Sequence, residues 1–269
     1  MPARLHHELI GSAPRRMLLT HGIYGAGSNW RGIARKLVAA RPDWSVVLVD
    51  LRNHGRSESG EPPHTLEACA EDLRALVAEL GSIEVLAGHS FGGKVVLQAR
   101  PLVGDVAQIW MLDSSPSTRR DLANDPTSAL AVLELLERLP RTWPSRDAFV
   151  QAIVDAGHTK DLGAWLGMNV VADGDVYTLR LALPALREML ADYCARDLWH
   201  LVEDASLPGT VEIVIADRSS TLSAADRERL SAPLAHIHAH HIDAGHWLHI
   251  DAPTAVVQLF AAALPTTLS

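Results

Sequence analysis

The chain has 269 residues, of which 48% are hydrophobic and 21% charged, and its formal net charge is −8. This length and composition are typical of a globular protein with one core domain and an insertion, and the acidic balance argues against a nucleic-acid partner because phosphate binding requires a basic surface. Only two cysteines occur, Cys69 and Cys194, so we expect no disulfide framework.

Short apolar runs alternate with helical patterns over the first 112 residues. Thr65 is a candidate N-cap for a helix that ends before Gly81, and Pro101 stops a later helix. This alternation predicts a mostly parallel sheet covered by helices on both faces. The predicted strands are residues 16–20, 45–50, 83–87 and 106–112, and the predicted helices are residues 28–40, 65–80 and 91–100.

The alternation breaks between residues 116 and 206, which contain no convincing strand. Strand patterns resume at residues 211–216 and 236–242, and a last helix is predicted at residues 253–263. We therefore expect a core domain made of residues 1–115 and 207–269, with residues 116–206 inserted as a helical cap. The helices predicted in this cap are residues 127–139, 145–156, 161–169 and 183–194.

A serine lies on a glycine-rich turn between a predicted strand and a predicted helix. Residues 88–92 are G-H-S-F-G and match the pattern G-x-S-x-G, with Gly93 extending it. In this context the pattern predicts a nucleophile elbow, because small neighbours permit the tight turn that exposes the hydroxyl. Ser90 is therefore the predicted nucleophile. The alternative is a glycine-rich turn with an incidental serine.

Two backbone N–H groups are candidates for an oxyanion hole. One belongs to Phe91, directly after the nucleophile, and the other to Ile23, in the loop after the first central strand. That loop, residues 21–25, has the sequence H-G-I-Y-G, and Gly22 permits the turn that aims the donor. The alternative is an ordinary glycine-rich loop. His21 is expected to be a structural hydrogen-bonding residue.

A serine hydroxyl needs an adjacent base, and His246 is the candidate. It follows the last predicted strand, so the chain order is serine first and histidine last. His249 lies on the wrong side of this turn. The triad also needs a carboxylate that fixes the imidazole tautomer. Asp113 and Asp217 each end a predicted strand, and Asp113 is preferred because its strand neighbours the strand of the nucleophile.

Together these motifs resemble the compact α/β-hydrolase esterases of the YbfF type. The resemblance covers residues 17–115 and 208–260, and its most specific strings are D-L-R-N-H-G-R-S at 50–57 and G-H-S-F-G-G-K at 88–94. We expect the helical cap to be inserted after the sixth strand, and the resemblance implies an α/β-hydrolase fold. It also implies Asp113 as the acid, with Ser219 near the usual acid position and hydrogen-bonded to the histidine–acid pair. The chain departs from the family at A-D-R, residues 216–218.

Several other motifs are expected to have structural or pocket-lining roles and no part in catalysis. Residues 50–57 are expected to be structural and to form a rim under the cap, and Lys94 is expected on a helix surface. The alternating histidines near residue 238 favour a polar strand face, and neither a metal nor a cofactor is expected. These histidines are His236, His238, His240 and His241. Four tryptophans are candidates for the wall of an apolar acyl pocket: Trp143, Trp165, Trp199 and Trp247.

The sequence therefore predicts a cofactor-free serine hydrolase, a carboxylesterase or thioesterase that cleaves a small acyl ester through an acyl-enzyme. The alternatives are a C–C bond hydrolase or perhydrolase with the same triad, and a non-catalytic ligand receptor on this fold. Dehalogenases and epoxide hydrolases are disfavoured because they carry aspartate in place of Ser90. The N-terminus lacks the apolar core of a signal peptide, so we expect a cytoplasmic protein. We also expect no membrane span, because no apolar stretch is long enough to cross a bilayer. The expected oligomeric state is a monomer or a homodimer.

Overall fold

A computed structural model describes residues 1–119, 128–232 and 234–266 of the chain. Its strands form a seven-stranded sheet and a separate three-stranded sheet. The strands, numbered in chain order, are β1 His7–Ile10, β2 Arg15–Thr20, β3 Trp44–Val49, β4 Val85–His89, β5 Gln108–Leu112, β6 Thr142–Trp143, β7 Val170–Asp173, β8 Val176–Leu179, β9 Thr210–Ala216 and β10 Ile237–Ile242.

The large sheet has the order β1-β3-β2-β4-β5-β9-β10. Every neighbouring pair in it is parallel except β1 with β3. The helices are α1 Arg31–Ala40, α2 Leu66–Leu80, α3 Phe91–Ala99, α4 Ala129–Arg138, α5 Arg146–Asp155, α6 Lys160–Leu166, α7 Leu183–Ala195, α8 Trp199–Glu203, α9 Ala224–Leu230, α10 Leu248–Asp251 and α11 Pro253–Ala263.

Helices cover both faces of this sheet, which explains why its central strands are continuous apolar runs. All residues of β3, β4 and β5 are buried. Alternate residues of β2 belong to different faces: Met17 and Leu19 join the apolar cluster that contains residues of α1 and α11, whereas Leu18 joins the cluster that contains residues of α2 and α3. The predicted α/β-hydrolase fold, a mostly parallel sheet flanked by helices, is confirmed.

The prediction that residues 116–206 contain no strand is wrong. In this segment β6, β8 and β7 form an antiparallel sheet. β7 and β8 are joined by a two-residue turn that begins at Gly174, whose φ of +65° favours glycine. The strands have two to four residues and are half exposed, so their apolar pattern is too short to predict them.

The segment also follows the fifth strand of the chain and not the sixth, because only β1–β5 precede residue 116. The helix predicted at residues 127–139 corresponds to α4, with Ser128 as its N-cap; residue 127 lies outside the described residues. Within the described ranges, no helix is long and apolar enough to cross a membrane. Cys69 is buried and Cys194 is half-buried, and neither of them is part of a disulfide.

Candidate active site

The turn between β4 and α3 carries Ser90 in a backbone conformation that is uncommon for a residue with a side chain, at φ +52°. The glycines on either side permit this turn because they lie so close to neighbouring backbone atoms that a Cβ would clash. A Cβ on Gly88 would lie 2.1 Å from the Gly92 oxygen, and a Cβ on Gly92 would lie 2.5 Å from the His21 oxygen. The strained turn at a strand C-terminus is typical of a functional residue.

The structure brings Ser90, His246 and Asp113 together in one hydrogen-bonded chain. His246 Nε2 lies 3.1 Å from Ser90 Oγ, and His246 Nδ1 lies 2.6 Å from Asp113 Oδ2. A carboxylate can only accept, so Nδ1 carries the hydrogen and the lone pair of Nε2 faces the hydroxyl. This is the tautomer that allows His246 to take the serine proton.

The carboxylate of Asp113 is fully buried, with an exposure of 0%. Ser219 Oγ donates to its Oδ2 at 2.6 Å, and the Ala216 N–H donates to its Oδ1 at 3.3 Å. These donors stabilise the negative charge of the buried carboxylate. Asp217 lies elsewhere: its Oδ1 is 2.7 Å from His241 Nδ1, on an exposed surface. The geometry therefore favours Asp113 as the partner of His246.

Two further side chains that the sequence does not predict for this site contact His246. Thr221 Oγ1 lies 3.1 Å from its Nδ1. His89 Nε2 donates to its backbone oxygen at 2.7 Å, and the two imidazole rings are 4.7 Å apart. Burial lowers the pKa of His89 well below its usual range, so this ring is neutral beside the base. The only sequence feature that points to His89 as part of the site is its position next to Ser90.

Ile23 and Phe91 lie in the wall of the same cavity as Ser90 and His246. Among the described residues, neither backbone N–H donates to a protein acceptor. Phe91 is also the first residue of α3, where the helix dipole favours negative charge. Two free donors beside a nucleophile are the arrangement that stabilises a developing oxyanion.

The cavity in front of Ser90 has a volume of about 340 Å³. Ser90 and His246 line it, and much of its remaining wall comes from apolar residues of α4, α6 and α7. Trp165 and Trp247 both line it, with ring centroids 5.5 Å apart. Trp143 packs on Phe149, away from this wall. The apolar lining residues from the three helices are Ala129, Val132, Leu162, Trp165, Leu190 and Tyr193.

Lys94 is predicted on a helix surface, and this prediction is wrong. Its side chain is buried, with an exposure of 0%. Its ammonium donates to the backbone oxygens of Ser117, Tyr193 and Arg196 at 2.7 to 2.8 Å. Desolvation lowers the pKa of this lysine to about 8. Lys94 thus connects helix α3 to two parts of the segment between β5 and β9. Residue 117 lies near the start of this segment, and residues 193 and 196 lie in its last third.

Two histidines of β10 contact a buried carboxylate, that of Glu212. Glu212 Oε1 lies 2.9 Å from His238 Nδ1, and Glu212 Oε2 lies 2.7 Å from His240 Nε2. His236 instead contacts the backbone oxygen of Val202. Over the ranges that the structure describes, no three His, Cys, Asp or Glu side chains are grouped so as to hold a metal ion.

Comparison with known proteins agrees with this architecture. A model of the alpha/beta hydrolase family matches residues 17–259. The sn-1-specific diacylglycerol lipase ABHD11 of Mus musculus is 27% identical over 246 residues, which cover 88% of this chain and 76% of the lipase. Esterase YbfF of Escherichia coli (strain K12) is 27% identical over 246 residues, 90% of each chain. The resemblance to YbfF-type esterases is thereby confirmed.

A solved structure of a marine microorganism esterase has the same fold. It superimposes with a TM-score of 0.83 at 20% sequence identity and covers 97% of this chain and 99% of that one. The family match contains strands β3 to β10, most of β2, the nucleophile turn and the histidine turn described above. The chain belongs to the alpha/beta hydrolase family.

Proposed function

We propose that this protein is a cofactor-free serine hydrolase that cleaves carboxylic esters or thioesters. The observation that carries the proposal is the chain from Ser90 Oγ to His246 Nε2, 3.1 Å, and from His246 Nδ1 to Asp113 Oδ2, 2.6 Å, with Ser90 and His246 in the wall of a cavity. The esterases and lipases among the relatives favour an ester over other scissile bonds.

In the first half of the reaction, His246 Nε2 takes the proton of Ser90 as Oγ attacks the acyl carbonyl carbon. The carbonyl electron pair moves to oxygen, and the N–H groups of Ile23 and Phe91 bind the resulting oxyanion. Asp113 stabilises the imidazolium that forms. Collapse of the tetrahedral intermediate expels an alcohol or thiol, which takes the proton from His246 and leaves Ser90 acylated.

In the second half, water replaces the leaving group. His246 removes its proton while the hydroxide equivalent attacks the acyl carbon, and the second tetrahedral intermediate uses the same two N–H groups. Its collapse releases the carboxylic acid, and the proton returns from His246 to Ser90. Apart from the ester and water, the groups used in both half-reactions all belong to this chain.

We further propose that residues 116–206 act as a cap over a core made of residues 1–115 and 207–269. The cap supplies the apolar wall opposite Ser90, including Val132, Leu162 and Leu190. Apolar burial is non-directional, so this wall selects the acyl group by length and volume. The acyl chain is therefore placed under the cap.

The test is a substrate series with wild type and Ser90→Ala. We expect wild type to hydrolyse p-nitrophenyl esters and acyl-CoA thioesters with a maximum at one acyl length, and Ser90→Ala to be inactive on all of them. Inactivity of folded wild type on every ester and thioester would refute the proposal. Turnover confined to vinylogous diketones would identify a C–C hydrolase, and turnover confined to peroxide-dependent acyl transfer would identify a perhydrolase.

A further inference from the structure

The string at residues 50–57, D-L-R-N-H-G-R-S, contacts the loop that carries the Ile23 N–H. The Tyr24 N–H donates to His54 Nε2 at 3.1 Å, although the two residues are 30 positions apart in the chain. The Gly27 N–H donates to Asp50 Oδ1 at 2.7 Å. The Leu51 N–H in turn donates to His21 Nε2 at 3.0 Å. The two loops therefore hold each other through three long-range hydrogen bonds.

We propose that His54 is a positioning residue for the oxyanion hole: its Nε2 fixes the peptide after Ile23 and so aims the Ile23 N–H at the substrate carbonyl oxygen. This inference rests on the proposed function, because it assigns the Ile23 N–H to the transition state. His54 itself touches neither Ser90 nor His246.

The orientation of the Ile23 N–H depends on the two peptides that flank this residue. The oxygen of the preceding peptide, Gly22 O, accepts from the Gly25 N–H at 3.0 Å and from His21 Nδ1 at 2.7 Å. The N–H of the following peptide, on Tyr24, is held by His54. Each flanking peptide thus has its own hydrogen-bond partner. Loss of the His54 ring would release the peptide between Ile23 and Tyr24.

The φ of Tyr24 is +65°, a region that residues with side chains rarely occupy. An unsupported loop would relax toward negative φ and rotate the peptide between Ile23 and Tyr24. The hydrogen bond from the Tyr24 N–H to His54 opposes this relaxation directly.

The chemistry of His54 matches the role of a fixed acceptor. Its Nδ1 donates to the Arg52 oxygen at 2.8 Å, which leaves Nε2 as the acceptor. Its side chain is only 2% exposed, and its ring lies edge-on to His21 with centroids 4.9 Å apart. Burial lowers the pKa of His54 to about 3, so the ring stays neutral and keeps its acceptor at neutral pH.

Two substitutions separate the acceptor from the rest of the ring. In His54→Asn, the amide reaches the position of Nδ1 and keeps a donor for the Arg52 oxygen, but no atom stands at Nε2. In His54→Gln, the longer amide places an oxygen near Nε2, where it can accept from Tyr24. His64→Asn is the matched control, because His64 is also buried, at 8% exposure, and contacts Asn53 and not the loop at residues 21–25.

The assay measures kcat and KM on an accepted p-nitrophenyl ester, per active site titrated with a fluorophosphonate, and the Ki of an alkyl trifluoromethyl ketone. The ketone adds to a serine as an alkoxide, so its Ki reports the oxyanion hole. Loss of one oxyanion donor costs about 10²- to 10³-fold in kcat elsewhere, and a misaimed donor costs less. We expect His54→Asn to lower kcat about 10- to 100-fold, to raise Ki by a similar factor, and to leave KM within about 3-fold.

We expect His54→Gln to recover most of kcat and Ki, and His64→Asn to leave both unchanged per titrated site. A purely structural His54 would lower the melting temperature and the titratable fraction, but kcat per site and Ki would stay within twofold of wild type; that result overturns the inference. If His54→Asn does not fold, His54→Met gives the same comparison, and failure of both variants to fold also overturns it. A wild type that neither binds fluorophosphonate nor cleaves esters instead overturns the proposed function.

Discussion

Replacement of Asp113 by asparagine tests the acid assignment. Asp113 Oδ2 lies 2.6 Å from His246 Nδ1 and also accepts from Ser219 Oγ. An amide nitrogen at this position would face Nδ1 with a hydrogen, which favours the imidazole tautomer whose Nε2 carries the proton. That tautomer cannot take the proton of Ser90.

The expected loss in kcat for Asp113→Asn is about 10⁴-fold, the size found when a triad acid is neutralised in other serine hydrolases, which corresponds to about 5 kcal/mol of transition-state stabilisation. The matched control is Asp217→Asn, since the Asp217 side chain is 41% exposed and contacts His241. We expect kcat within about twofold of wild type for this control, in line with exposed ion pairs of small energy.

The assay is kcat for an accepted p-nitrophenyl ester per folded molecule, with folding checked by circular dichroism. If Asp217→Asn abolishes turnover while Asp113→Asn stays within tenfold of wild type, the assignment of Asp113 is wrong. Equal losses in both variants would mean that the two carboxylates act on His246 together, which the geometry does not provide for.

Three further predictions concern stability and specificity. Lys94→Met removes the donor shared by three backbone oxygens and should lower the free energy of unfolding by about 2 kcal/mol in urea titration; a change under about 0.5 kcal/mol would contradict the buried clamp. Burial lowers the pKa of His21 to about 4 and that of His54 to about 3, so the unfolded chain, with histidine pKa near 6.5, binds protons that the native state does not. Stability should therefore be fully present above about pH 6.5 and fall as the pH drops toward 4, by about 2 kcal/mol per histidine at pH 5, and a flat urea midpoint over this range would contradict neutral burial. Leu162→Trp narrows the apolar wall of the cavity and should lower kcat/KM for octanoate esters at least about tenfold relative to acetate esters; an equal effect on both would place the acyl chain elsewhere.

The sequence predicted those parts of the site that are encoded locally. Ser90 is recognisable because a buried strand, three glycines and a helix follow one another within a few residues. His246 is recognisable by its place after the last strand. The sheet was predictable for a similar reason, since strands buried on both faces are continuous apolar runs. The preference for Asp113 depended on which strands are neighbours, a question that the regular order of a parallel sheet answers.

Contacts between distant segments could not be predicted. The three partners of Lys94 are backbone oxygens 23, 99 and 102 residues away, and a backbone oxygen carries no sequence signal. His54 was assigned to a structural rim because its partner is likewise a backbone group, the Tyr24 N–H. The small sheet at β6–β8 was missed because strands of two to four residues show too little periodicity.

Covalent labelling identifies the nucleophile of this protein. Wild type and Ser90→Ala are treated with a fluorophosphonate, digested and analysed by mass spectrometry. We expect one adduct per wild-type molecule, located on Ser90, and none on a folded Ser90→Ala variant. A folded wild type that takes up no label, or an adduct located on another residue, would contradict this expectation.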